Sequence, residues 1–242
     1  MRQIWIIAKR ELSAFFDSLI AYIMIVLFLA FSGLFTWILG ASIFFINQAN
    51  LQVFFGVSYW TLFIFIPALT MRLIAEETRS GTLELLLTKP VNDWQVVAGK
   101  FLSTFILIVI TLMLTLPYYF TIWKLGPVDH GAVWSGYLGL LLISASYISI
   151  GIFASSISQN QIVSILTALF IGIFFQLIFG ALASASSGFM SSVFNYLSIQ
   201  THFDSISRGV IDSKDLIYFF SLIFLGLAAS EIAVAKRNIV DK

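Results

Sequence analysis

Six long apolar stretches alternate with short polar segments along the chain, at 19–40, 53–73, 101–123, 134–154, 162–183 and 216–235. Each has the roughly 20 residues that a helix needs to cross the hydrocarbon core of a bilayer. The pattern therefore predicts an all-α membrane protein with six transmembrane helices per protomer. The first stretch exceeds the apolar core of a signal peptide, about 7–15 residues, and no small-residue cleavage site follows it, so it reads as a retained span. The residues before it have another period. In IWIIAKRELSAFF, Ile4, Trp5, Ala8, Leu12, Phe15 and Phe16 share one helical side, while Lys9, Ser13 and Asp17 recur every four residues on another. This predicts an amphipathic helix over 1–18 along the membrane surface, with Trp5 at headgroup depth and Lys9 and Arg10 toward anionic lipid. The plainer reading is a basic flank of the first span. The six-helix domain then occupies 19–242.

Between the second and third spans lies the densest group of charges, in the loop 74–97. A hydrophobic helix ends at Arg72 and Leu73, Glu76, Glu77 and Arg79 follow, and Gly81 and Thr82 break the run. Leu83, Glu84, Leu85, Leu86 and Leu87 then form a mainly apolar stretch that Pro90 stops. That stretch is far too short to cross a bilayer, so its leucines must be buried in protein or at an interface. A short docking helix fits best. The connection 184–215 is longer and serine-rich with apolar residues interspersed, and reads either as a re-entrant segment near the mouth of a path or as a solvated loop with short surface helices. The connection 155–161 is polar and uncharged, a weaker candidate for contact with a partner.

Composition sharpens the class. With 60% hydrophobic and 10% charged residues and a mean hydropathy of +0.99 over 242 residues, the chain lies outside the range of soluble domains, where about 25% of residues are charged. The spans leave no room for a separate ATPase domain. Absence of cysteine excludes a disulfide framework and a thiolate metal site. Placing both termini and the loop around Glu76 on one side puts ten of the 13 Lys and Arg residues there, with Lys124, Arg208 and Lys214 opposite. The positive-inside rule then orients both termini to the cytoplasm.

Catalysis finds little support. There is no HExxH, GxSxG, Walker A or paired His/Cys pattern, and His130 and His202 both fall in connections. The aspartates, Asp215 among them, fall outside the six stretches, which sets aside an intramembrane aspartyl protease. Glu231 is the one acid inside a stretch, and a pair with Lys236 or Arg237 accounts for it. An interior offering Thr115, Tyr118, Tyr119, Gln176 and many phenylalanines suits apolar or amphipathic cargo, or conformational signalling, better than a small ion. Gly33, Gly40, Gly139, Gly151, Gly172 and Gly180 permit close helix approach, and Pro67 and Pro117 favour kinks.

Taken together, the amphipathic segment with KREL, the six spans and EETRSGTLELLLTKPV between the second and third resemble the permease subunit of type-2 ABC exporters. KRELSAFFDSLIAYIMIVLFLAFSGLF is most similar to the gliding-motility type of that family. The resemblance implies that Glu76, Glu77, Arg79, Gly81, Thr82, Leu83, Glu84, Leu86, Leu87 and Pro90 form a coupling helix seated on a separate ABC ATPase dimer, which carries the ATP and Mg. Glu84 then lies in a first turn, where the helix dipole favours negative charge, and Arg79 and Lys89 suit acidic rim residues of the partner. It also implies a second permease protomer, most simply a homodimer, a location in the bacterial inner membrane, and an auxiliary membrane protein with an extracytoplasmic domain. No cofactor in this chain and no nucleic acid partner are expected. Two other functions compete: a mechanotransmission module that relays ATP-driven motion without moving cargo, and an ATPase-independent carrier or scaffold.

Overall fold

The computed structural model describes residues 2–39, 50–81 and 92–240, with side chains to residue 236. Among these residues the protein is helical throughout, with no strand, and six helical stretches are long and apolar enough to span a membrane: Ile20–Trp37, Gln52–Arg79, Asp93–Leu125, His130–Ile157, Gln161–Ala185 and Ser213–Lys236. All six expected spans are present, each shifted by a few residues. With an even number of crossings, both ends of the chain lie at one end of the bundle, termed here the near end.

Helix α1 (Arg2–Asp17) precedes the spans and packs on the third of them. Its covered stripe runs through Ile4, Ile7, Ala8, Glu11, Leu12 and Phe15, the i, i+3, i+4, i+7 spacing of one helical face. The stripe is rotated from the expected one. Trp5 is exposed, as are Lys9 and Arg10, whereas Ile7 and the acidic Glu11 turn inward. Leu19 takes a left-handed conformation at φ 61° and turns the chain into the first span, α2 (Ile20–Trp37).

The second span is α3 (Gln52–Thr70), followed by a turn and the short α4 (Ala75–Arg79). The third starts at α5 (Asp93–Met113), where Asn92 and Gln95 form a reciprocal capping box, and continues as α6 (Leu116–Leu125). Pro117 sits in the first turn of α6, where its missing N–H is harmless, so the expected bend is a break between two helices. Thr115 in that break donates to the Leu112 carbonyl at 2.6 Å and accepts from the Tyr137 hydroxyl at 3.0 Å.

The fourth span, α7 (His130–Ile157), is the axis of the fold. It touches α3, α5, the fifth span and the sixth span, and 83% of its apolar window is buried, against 22% for the first and fifth. Small residues make this possible. A Cβ on Gly136 would overlap the Phe55 ring, and one on Gly151 would overlap Thr70 Oγ1, so the bare backbone of α7 receives α3 side chains at both levels. The serines of α7 satisfy themselves, Ser144 and Ser146 donating to carbonyls one turn back.

The fifth span comprises α8 (Gln161–Ile173), a π-helical turn (Phe174–Ile178) and α9 (Phe179–Ala185). At the end away from the termini, the far end, the connection forms α10 (Phe189–Leu197) and α11 (Ile199–Ser207) before the sixth span, α12 (Ser213–Val240). Helix α11 is seated on α7, burying Ile199, His202, Phe203 and Ile206, while α10 buries nothing.

Candidate functional site

At the near end four charged side chains from three elements converge. Lys100, in the second turn of α5, is fully buried, and its Nζ lies 2.8 Å from Glu77 Oε2 of α4 and 3.4 Å from Glu11 Oε1 of α1. Arg10 closes the group from outside, at 2.8 Å from Glu11 and 3.4 Å from Glu77. A lysine is almost never buried unless paired, and two carboxylates supply that pairing here. Burial pushes the Glu11 carboxyl up, but the charges of Lys100 and Arg10 outweigh it and hold the group below the ordinary carboxylate value. The cluster thus fixes α1, α4 and α5 to one another through charge-assisted contacts.

A second tie reaches α4 from the fourth span. Ser155 Oγ accepts from the Ile74 and Ala75 N–H groups, both at 3.0 Å, and donates to the Met71 carbonyl at 3.1 Å. One hydroxyl thereby satisfies the backbone groups that the turn after α3 leaves open. Ser155 is buried in the last turn of α7 rather than in a connection, since that helix runs to Ile157.

The far end holds a separate buried pair. His202 Nε2 donates to the Tyr196 carbonyl at 2.9 Å, and Nδ1 shares a hydrogen bond with Asp215 Oδ1 at 2.7 Å. The Tyr218 ring stacks on the imidazole at 4.1 Å and its hydroxyl donates to the Leu197 carbonyl at 2.7 Å. Asp215, read from the sequence as outside the spans, stands buried in the first turn of α12. Between the two ends the contacts are uncharged: Gln176, turned inward by the π-helical turn, accepts from the Tyr147 hydroxyl.

Of the residues expected to couple to an ATPase, Glu76, Arg79 and Gly81 are exposed on or just after α4, and Glu77 faces Lys100. Thr82, Leu83, Glu84, Leu86, Leu87 and Pro90 lie outside the described residues. Glu231 makes no ion pair with Lys236, and the Arg237 side chain lies outside the described residues. Lys100 and Glu11 were missed as site residues. Their signal was a charge on an otherwise apolar helical face, at Glu11 in the stripe of α1 and at Lys100 beside Val96 and Val97.

An apolar groove of about 310 Å³ separates α2 from α3 and is lined by Phe31, Phe35, Trp60 and Ile64 among others. No curated protein matches the chain. A family model described as ABC-2 family transporter protein matches residues 46–235, which take in five of the six spans together with Glu77, Lys100, Ser155, His202 and Asp215. A match over most of the length, on a six-span helical fold with no soluble domain among its described residues, places the chain in the ABC-2 transporter family as a membrane-spanning subunit.

Proposed function

We propose that this chain is the transmembrane subunit of an ATP-driven exporter, in which a separate ATPase dimer moves the segment 74–97 and the bundle converts that movement into export. The observation that carries this reading is the buried Lys100 cluster. A segment that meets a motor must pass its displacement to the spans. The first turn of this one is tied to span three through Glu77 and Lys100, to α1 through Arg10, and to span four through Ser155. Any push on α4 therefore reaches three elements at once. Gly81, at φ 70°, lets the chain leave α4 in a conformation that other residues adopt only under strain.

Two protomers facing each other complete the path. The spans least covered within one chain are the first, fifth and sixth, and a second copy is the simplest cover for part of that surface. The basic near end points to the cytoplasm of a bacterial inner membrane. The gliding-motility resemblance, with its auxiliary membrane protein, rests on 9–35, a stretch ahead of the family match. A relay of motion without cargo is the second reading, and the unbroken, buried course of α7 from Ser155 to the seat of α11 favours it.

The test is co-purification with the ATPase encoded beside this chain, for wild type and Leu86→Asp, with stoichiometry measured in detergent. Recovery of two ATPase subunits with wild type and loss with Leu86→Asp is expected. Equal recovery of both, or no ATPase with either, would move the weight to an independent carrier or scaffold. Export by proteoliposomes of the intact complex then separates transport from relay.

A further inference from the structure

A cavity of about 490 Å³ opens between α1, the turn into α2 and the end of the second span. Its size falls in the range of small-molecule sites, about 300–1,000 Å³. Helix α3 has 19 residues, enough to cross the hydrocarbon core, so Arg72 and the residues after it stand at headgroup depth. Two charges in this cavity are left over when the Lys100 cluster is satisfied. Arg72 reaches Ser18 Oγ at 3.2 Å and lies over the Phe15 ring at 5.1 Å, yet meets no carboxylate among the described residues. Glu76, one turn further along the chain with its N–H on the Arg72 carbonyl at 3.3 Å, also lines the cavity and meets no cation among them. The two do not pair with each other. The other charges of the wall, Arg10, Glu11 and Glu77, neutralise one another through Lys100.

We infer that this cavity binds the zwitterionic headgroup of a membrane phospholipid with a primary amine, its phosphate on Arg72 and Ser18 and its ammonium on Glu76. An arginine fork beside a hydroxyl is the donor set that a phosphate takes. A carboxylate one turn from that arginine suits an ammonium that can donate hydrogen bonds, and a quaternary amine cannot. The phosphate-bearing headgroup has two sources, a lipid of the bilayer or a free phosphoethanolamine. Its place at the bilayer boundary assigns it to the lipid.

The test needs no ATPase, so its outcome is independent of the exporter reading. The full chain in detergent is titrated with phosphatidylethanolamine, phosphatidylcholine and phosphatidylglycerol of matched acyl chains, and bound lipid is counted by native mass spectrometry. Wild type should bind the ethanolamine lipid about tenfold more tightly than the other two, the loss expected for one charge-assisted contact. Arg72→Gln should weaken all three lipids. Glu76→Gln should lower only the ethanolamine lipid, to the level of the glycerol lipid. Circular dichroism and melting of each variant show that it is folded, and Lys214→Gln at the far end should bind as wild type does. Equal binding of the three lipids by wild type, or unchanged ethanolamine lipid binding in both cavity variants, would overturn the proposal. So would saturation by free phosphoethanolamine at the same concentration as the lipid.

Discussion

Replacing Lys100 by Met tests whether the near-end cluster holds the fold together. The side chains have similar length, so the change removes the charge and leaves little cavity. Removing one partner of a fully buried ion pair costs about 3–5 kcal/mol, because the charge left behind is uncompensated. Here the value is lower, since the Glu11 and Glu77 side chains keep 14% and 20% exposure and Arg10 still lies at 2.8 and 3.4 Å from them. About 2–3 kcal/mol remains once water and Arg10 take over part of the stabilisation. The assay is reversible unfolding in mixed micelles for wild type, Lys100→Met, Glu77→Gln and the double variant. If the pair at 2.8 Å is the main contact, the double variant is less damaged than the sum of the singles, with a coupling of about 1–3 kcal/mol. Singles that add within about 0.5 kcal/mol, or a Lys100→Met protein as stable as wild type, would refute the reasoning. In the assembled complex the same variant should hydrolyse ATP while exporting less, because α4 then moves without span three.

Ser155→Val leaves the Ile74 and Ala75 N–H groups buried without an acceptor, at about 1–3 kcal/mol each before relaxation, and should lower the unfolding midpoint while Ser156→Ala changes it little. Gly136→Ala drives a methyl into the Phe55 ring, with a loss of about 1–3 kcal/mol that Phe55→Leu in the same chain partly restores, read by melting in detergent. His202→Ala leaves Asp215 buried without its ring partner and should cost about 1–3 kcal/mol, which Asp215→Asn in the same chain reduces. Glu11 predicts an acid limb: its folded value lies below the ordinary glutamate value, so its stabilisation is complete above the ordinary value and is lost as the pH falls through the folded one. In Lys100→Met the folded value rises toward the ordinary one and this acid loss should shrink, and an unchanged pH profile of melting would count against the assignment.

The six spans were legible because a run of about 20 apolar residues has few other fates. The face of α1 was legible only in part. Glu11 looks like a solvated position until Lys100, far along the chain, supplies its partner, and assigning Glu11 to water rotates the covered stripe from Ile7 to Trp5. Ser155 and Asp215 failed for a related reason: small polar and acidic residues at the ends of apolar stretches read as connections, and only a partner on another helix makes them inward-facing. Pro117 announced the break in span three through its missing N–H. The π-helical turn at Phe174 had no such signal, since its one extra residue per turn leaves no mark on the apolar pattern. For 184–215 the sequence left a re-entrant segment and a loop with short helices both open; two short helices are there, the second seated on α7.

Charge and packing divide the labour along this molecule. The Lys100 ion-pair cluster holds one end and the His202–Asp215 hydrogen bond the other, and the stretch between is closed by glycine contacts and neutral hydrogen bonds. Helices α3 and α7 meet so closely at Gly136 and Gly151 that neither slides along the other without displacing Phe55 or Thr70, both buried. Close-packed cores switch between discrete arrangements rather than deforming smoothly, so this pair moves as a unit. Pro67 removes one ladder bond inside α3, and outside the pair the ladder is interrupted at the break before Pro117 in span three and at the π-helical turn in span five. On the proposed function, a displacement entering at α4 would pass through the α3–α7 pair and be taken up by spans three and five. Of these, span five buries only 22% of its apolar window, so movement there disturbs few contacts within the chain and is the easier of the two.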